Sequence, residues 1–405
     1  VGALASVSLL LGWLPKAALA ISWFAYLSFV SVGWPFMSFQ WDTLLLEASF
    51  TAFFFVPWRI SDRLVSHPEP NPVARWALWW LLFRLVFRSA YVKLASGDPS
   101  WADLSALTYH YWTQPLPTAL AWYANQLPAW FQRLSCVLMF VVELGAPILL
   151  WVPRAWARRS AAGAIIALMG LIALTGNYGF FNLLSIVLCI PLIDDRLLSR
   201  LAPGRRGLDV SLPPSAKWKA WPTLGPALLI ALSAVIFIAG TLGPRMPGWL
   251  GPVYRFSTVN NYGLFAVMTT ERPEISIEGT LDAETWKPYV FRYKPGPVDR
   301  APVWVAPHQP RLDWQIWFAA LGDYRMNAWL GNLMRRLLQG EPSVLALLDD
   351  NPFPEGPPKQ VRALIYRYEF TDRAERRATG DWWKRRDRML YAPILGVPIE
   401  PASTE

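Results

Sequence analysis

The stretch from Leu224 to Gly243 runs for twenty residues without a charged side chain. A helix needs about that length to cross the ~30 Å hydrocarbon core of a bilayer. Seven further apolar runs precede it, at about Val1 to Leu14, Ala17 to Trp34, Thr43 to Pro57, Val73 to Ala95, Phe131 to Val152, Ser160 to Gly176 and Phe180 to Ile193. The fourth, fifth and last are long enough to span outright. The third and seventh are short, and are expected to be tilted, re-entrant or half-length. In lipid every backbone polar group must be satisfied within the segment, so such runs fold as helices. Residues 1–243 therefore read as an α-helical multi-pass membrane bundle of about six to eight helices.

Charge placement agrees with that reading. Residues 1–243 carry 17 Lys or Arg against 10 Asp or Glu, while residues 244–405 carry 21 against 19, so the apolar part holds most of the net charge of +9. The excess lies between apolar runs: Arg59, Arg63 and Arg75, then Arg154, Arg158 and Arg159, then Arg196, Arg200, Arg205, Arg206, Lys217 and Lys219. By the positive-inside rule these loops are cytoplasmic. The segments Pro35 to Asp42, Ser96 to Trp130 and Asn177 to Gly179 contain no Lys or Arg and belong on the other side, as does everything after Gly243. The charges form no stripe interleaved with exposed aromatics, which argues against nucleic-acid binding. Cys136 and Cys189 both lie in apolar runs, so they build neither a disulfide framework nor a zinc site. The chain opens on Val1 inside an apolar stretch and has no signal-peptide pattern, which reads as an N-terminally trimmed sequence. No glycosylation sequon occurs, and 30 Arg against 8 Lys favours a bacterial inner membrane over a secretory-pathway host.

After Gly243 the pattern becomes mixed, polar and rich in Pro. Alternation in Glu274 to Glu278, in Tyr289 to Tyr293 and in Val361 to Tyr368 predicts strands, and Leu312 to Leu321 and Met326 to Leu338 predict amphipathic helices. Residues 244–405 are thus expected to form an extracytoplasmic α+β domain with an antiparallel or mixed sheet. The basic stretch Lys384 to Arg388 reads as a solvated face.

The common catalytic signatures are missing from the sequence: no Gly-x-Ser-x-Gly elbow, no His-Glu-x-x-His, no phosphate loop and no dinucleotide fingerprint. With only His67, His110 and His308 available, a metal centre built on several imidazoles is not expected, and no cofactor is implied. The chemistry-bearing candidates are charges inside apolar runs. Asp42 and Glu47 bracket the start of the third run; Arg84, Arg88 and Lys93 lie in the fourth, where Arg84 and Arg88 share a helix face; Glu143 is mid-run in the fifth. An unpaired charge in hydrocarbon costs on the order of 2.5 to 3.5 kcal/mol on insertion scales, so these groups are expected to pair, as interhelical staples or around a cavity. The simplest arrangement has Glu47 and Glu143 neutralising Arg84 and Arg88. The outer segment 96–130, dense in Trp, Tyr and Pro, suits the headgroup zone. Tyr109, His110, Trp112 and Gln114 there, with Asn261, Tyr262, Arg311, Asp313 and Trp314 in the tail, are candidate contacts to a client protein or a lipid, because recognition surfaces favour aromatics and Arg.

Those stretches also carry a resemblance. Ser38 to Glu47, Tyr109 to Pro117, Thr175 to Asn182, Asn261 to Phe265 and Arg311 to Gln315 together resemble the lipase maturation factors along almost the whole chain. The resemblance implies a chaperone-like folding factor with its C-terminal domain outside the cytoplasm; in eukaryotes this is an endoplasmic-reticulum membrane protein that helps secreted dimeric lipases mature. Its partners would be an exported client and membrane lipid. A shorter stretch, Ala90-Tyr91-Val92-Lys93 followed by Asp98 to Trp101, is similar to the vitamin K-dependent carboxylase and its horizontally transferred transmembrane relatives, in which a lysine serves as a base. That likeness implies an alternative role as a membrane enzyme using Lys93, which desolvation beside Arg88 would incline to give up its proton. A transporter is a further alternative, but paired broken helices in two related halves are not visible.

Overall fold

The computed structural model describes residues 1–61, 70–194, 220–243 and 248–396. Arg63, His67, Arg196, Arg200, Arg205, Arg206, Lys217 and Lys219 lie outside the described residues. The chain divides into two compact units. One comprises residues 1–102, 136–171 and 180–267, and the other 103–135, 172–179 and 268–405.

The first unit is helical. Its main elements are α1 (Gly2–Leu10), α2 (Pro15–Val32), α3 (Gln40–Phe55) and α4 (Pro72–Ala95). Between α4 and the next long helix lie three short ones, α5 (Pro99–Ala102), α6 (Ala106–Thr113) and α7 (Ala119–Asn125), the last two of which belong to the second unit. There follow α8 (Ala129–Leu149), α9 (Ala155–Thr175), α10 (Phe181–Val187), α11 (Ala220–Leu242) and α12 (Gly251–Arg255). Among the described residues four helices are long and apolar enough to cross a membrane: Pro15–Val32, Ala129–Leu149, Ala155–Thr175 and Thr223–Leu242. The chain is an integral membrane protein.

The fourth apolar run, expected to be a secure span, forms the 24-residue α4 but does not join those four. Asn71 caps it by accepting from Val73 N at 2.9 Å, with Pro72 in the first turn. Its cations Arg84, Arg88 and Lys93 are buried within the bundle, so the helix is built to face protein rather than lipid. Its Trp80, Phe83 and Phe87 stack in a row and meet Phe237 of α11. On the other side of α3, Trp23 and Leu27 of α2 pack on Leu46.

The second unit is built on an antiparallel sheet of four strands in the order β2 (Trp286–Pro288), β1 (Arg272–Thr280), β5 (Gln360–Phe370), β6 (Trp383–Gly396). A small pair of strands, β3 (Val290–Phe291) and β4 (Leu348–Asp350), lies apart from it. Period-two alternation sends Ile275, Ile277, Val361 and Ala363 to one face, where α13 (Arg311–Ala320) and α14 (Ala328–Leu338) bury Ile316, Leu330, Met334 and Leu337 against them. Each of these side chains other than Ala363 stabilises the fold by roughly 1.5 to 3 kcal/mol. The opposite face carries Leu364, Tyr366, Tyr368 and Phe370, and these pack on Trp383 and on Ala121 and Trp122 of α7. The sheet is therefore covered on both faces. A four-residue helix, α15 (Pro342–Leu345), precedes β4. Between β5 and β6, α16 (Arg373–Thr379) is closed by a capping box from Asp372 and Glu375 and stopped by Gly380 at φ +82°, a conformation that glycine adopts without strain.

One expectation changes here. Tyr289 to Tyr293 was expected to form one strand, but only Val290–Phe291 pairs with β4; the backbone N–H groups of Tyr293 and Lys294 donate instead to the Asp313 carboxylate, both at 2.9 Å. The basic stretch Lys384 to Arg388 is solvated but belongs to β6, the longest strand.

Candidate functional site

In the first unit the charges of the apolar runs are gathered around α3 and α4. Glu47 is fully buried and pairs with Arg84. Its second oxygen accepts from Asn260 N at 2.7 Å, Asn260 Nδ2 at 3.0 Å and the Tyr262 hydroxyl at 2.6 Å. Arg84 also donates to the Asn260 carbonyl at 3.1 Å. One carboxylate thus ties α3 to α4 and to the segment after α11. Asp42, one turn earlier, accepts from the Tyr26 hydroxyl of α2.

The second expected pair is replaced by two other arrangements. Glu143 meets Lys93, whose ammonium lies 3.0 and 2.8 Å from its two oxygens, and not Arg88. The Lys93 ammonium also faces the Trp101 ring at 5.5 Å. Arg88 donates to the Gly240 carbonyl and to Thr241 Oγ1, both at 2.9 Å, and Tyr91 donates to the Thr241 carbonyl. The last carbonyls of a helix have no partner within it and carry partial negative charge, so Arg88 and Tyr91 close the C-terminal end of α11. The group expected to perturb Lys93 was Arg88; the structure places a carboxylate on it instead.

In the second unit, the segment 109–117 and the Asn177-Tyr178 pair interlock. Tyr178 donates to Gln114 Oε1 at 2.7 Å and lies 3.1 Å from His110 Nε2. Gln114 Nε2 reaches the Thr175 carbonyl at 2.9 Å. Asn177 uses both ends of its amide: Nδ2 donates to the carbonyls of Leu116 and Val303, and Oδ1 accepts from the N–H groups of Val305 and Ala306. Burial pushes the Tyr178 hydroxyl well above the ordinary tyrosine range. Asp313, holding two backbone N–H groups, is raised from the ordinary carboxylate range because it is buried.

A triad that sequence reasoning did not single out lies beside them. Arg272, fully buried, donates to the carbonyls of Trp112 (3.0 Å), Gln114 and Pro115 (2.8 Å), and pairs with Glu274 at 2.6 Å. Lys294 approaches the other Glu274 oxygen at 3.0 Å. Burial lowers the Arg272 pKa, and the Glu274 charge opposes that shift. Glu274 and Lys294 border a cavity of about 210 Å³ between β1 and the 289–297 segment. A signal was present in the strand pattern: Arg272 and Glu274 sit opposite in phase to Ile275 and Ile277, so charged residues occupy the face that the short helices cover.

The candidate contact residues separate by accessibility. Gln114, Tyr262, Asp313 and Trp314 are buried, because their polar atoms or rings complete internal networks. Tyr109, His110, Trp112 and Arg311 are half-buried and Asn261 is exposed, so these are the members a partner can reach.

Residues 1–200 match the family described as lipase maturation factor transmembrane domain, and residues 258–393 match that described as lipase maturation factor C-terminal domain. Lipase maturation factor 2 of Gallus gallus is 36% identical over 92% of this chain and 67% of its own length. Lipase maturation factor 2 of Homo sapiens is 34% identical over 93% of this chain and 69% of its own. For lipase maturation factor 1 of Bos taurus the values are 33%, 97% and 74%. No solved structure matches.

Proposed function

Because this chain belongs to the lipase maturation factor family, we propose that it is a membrane-embedded maturation factor that holds exported proteins, secreted lipases among them, while they fold or assemble. The observation that carries the reading is that the outer aromatic segment 103–135 and the tail 268–396 belong to one compact unit. Trp122 packs with Trp382 and donates to Thr371 at 3.2 Å, and Arg272 gathers the 112–115 carbonyls. A client bound beside the bilayer would meet both segments as one surface, at a modest and transient interface.

In this proposal six to eight helices cross the membrane within residues 1–243, and the domain at 244–405 lies outside the cytoplasm. Arg154, Arg158 and Arg159 at the turn between α8 and α9, against no Lys or Arg in 96–130, support that orientation. In a bacterial host the membrane is the inner one.

The test is deletion of the full-length gene in the native host, complemented with the parent sequence, with a Tyr109→Ala/Arg311→Ala variant, or with Lys93→Ala. Quantitative proteomics and lipase assays of the exported fraction are the readouts. The proposal expects exported proteins to fall on deletion and the double variant to restore them poorly while accumulating normally. An unchanged exported fraction after deletion overturns it.

A further inference from the structure

Arg373, Arg376 and Arg377 of α16 line an open cavity of about 380 Å³ together with Trp122 and Tyr123 of α7 and with Gly380. Among the described residues none of the three arginines forms an ion pair. The acids of α16 and its cap are occupied: Asp372 caps α16, and Glu375 accepts from Asp372 N at 2.8 Å and pairs with Lys384 at 3.0 Å. Arg376 is held by rings, its guanidinium 3.4 Å from the Trp382 ring centre and 5.2 Å from that of Trp122. The scaffold is fixed, since Trp122 and Gln126 both donate to Thr371.

From Tyr123 the chain runs only six residues to Ala129, where the spanning helix α8 begins. The exposed large apolar side chains on and beside this stretch are Leu120, Tyr123, Leu127, Trp130 and Phe131. Trp and Tyr at the first turn of a span mark the interfacial layer, which adds only about 5 to 8 Å on each side of the hydrocarbon core. Tyr123 belongs both to the cationic cavity and to this run of exposed apolar side chains. We propose that this cavity binds the phosphate of an anionic glycerophospholipid in the leaflet that α8 enters at Ala129, with the acyl chains lying along Leu127, Trp130 and Phe131. Guanidinium forks match a phosphate bidentately, and three uncompensated arginines favour an anionic headgroup over a zwitterionic one. The site does not depend on the client-holding role proposed above.

Purified protein in nanodiscs of mixed phosphatidylglycerol and phosphatidylcholine tests this by native mass spectrometry of co-purified lipid. The parent protein is expected to retain phosphatidylglycerol preferentially. Arg373→Ala/Arg377→Ala, both exposed positions, is expected to lower that retention by about fivefold per arginine, the loss typical of one basic residue at an anionic surface. Arg376→Lys, which keeps the charge but loses the fork, is expected to weaken it less. Arg335→Ala/Arg336→Ala on α14 removes the same charge elsewhere and is expected to leave retention unchanged. Equal retention by the α16 double variant, an equal loss in the α14 control, or displacement of the lipid by inorganic phosphate at matched concentration would each overturn the proposal.

Discussion

Lys93 and Glu143, fifty residues apart in sequence, meet with the ammonium 3.0 and 2.8 Å from the two carboxylate oxygens and both side chains buried. A lone buried charge is far costlier than a removed pair. Lys93→Met or Glu143→Gln alone is therefore expected to destabilise by about 3 to 5 kcal/mol, while Lys93→Met/Glu143→Leu recovers most of it. Thermal unfolding in detergent measures this. If the double variant is also active in restoring exported proteins, Lys93 is not a base; if it is stable and inactive, the enzyme alternative returns.

Arg272→Ala would strip three carbonyls and Glu274 of a common donor inside the second unit. The expected cost is about 3 to 5 kcal/mol, the range for breaking a buried charged network. Faster hydrogen exchange should appear first around residues 112–115. Uniform exchange rates in that segment would show that Arg272 does not hold it.

Gly176 stands where a Cβ would lie 2.1 Å from Gln114 Oε1 and 2.5 Å from the Tyr178 ring. Gly176→Ala must push apart the Tyr178, Gln114 and His110 contacts, and overpacking of this kind costs typically 1 to 3 kcal/mol. Intrinsic fluorescence on urea titration of the full chain gives the measure. A midpoint equal to the parent's would mean the segment yields freely.

The apolar runs of the bundle could be read along the chain because a span must satisfy its own backbone and needs no distant information. Glu47 with Arg84 was legible for the same reason, since a buried charge demands an opposite one. Which cation Glu143 takes was not, because that depends on how α4 and α8 are rotated, and Arg88 and Lys93 are equivalent candidates in sequence. Asp313 reads in sequence as a candidate partner contact, yet it is buried and replaces a strand partner for Tyr293 and Lys294, and a local pattern carries no sign of an acceptor twenty residues away. The strand at Glu274 to Glu278 extends in both directions, to Arg272 and Thr280, and Arg272 is drawn in because α7 covers that face of the sheet and its guanidinium meets the 112–115 carbonyls.

Asp313 gives a pH dependence whose sign is determined by burial. Its folded pKa is raised, so the native state holds that proton more tightly than the unfolded chain. The contribution is fully present below the ordinary carboxylate range and is lost as pH rises through the raised value. Asp313→Asn keeps an oxygen for Tyr293 N and Lys294 N but does not titrate. Its stability relative to the parent, followed by melting temperature, is expected to improve as pH rises above the ordinary carboxylate range, until the parent's Asp313 is fully ionised. A constant gap across that range would mean that the two N–H bonds outweigh burial.

Strand β6 went unread because Lys384, Arg385, Arg386 and Arg388 mask a 14-residue strand, and its edge position explains why they are there. Among the described residues only β5 pairs with it as a strand, so its outer backbone groups beyond Trp383, whose N–H donates to the Val298 carbonyl, are open to a strand from another molecule. Charged residues along such an edge oppose that pairing. Lys384 and Arg386 are anchored to Glu375 and Glu369, but exposed pairs of this kind add only about 0 to 1 kcal/mol. Their larger effect is on association. Arg386→Val/Arg388→Val is therefore expected to leave the unfolding midpoint nearly unchanged while converting a monodisperse detergent complex into larger species by light scattering. A variant that melts earlier but stays monodisperse would show that these arginines act on stability and not on the edge.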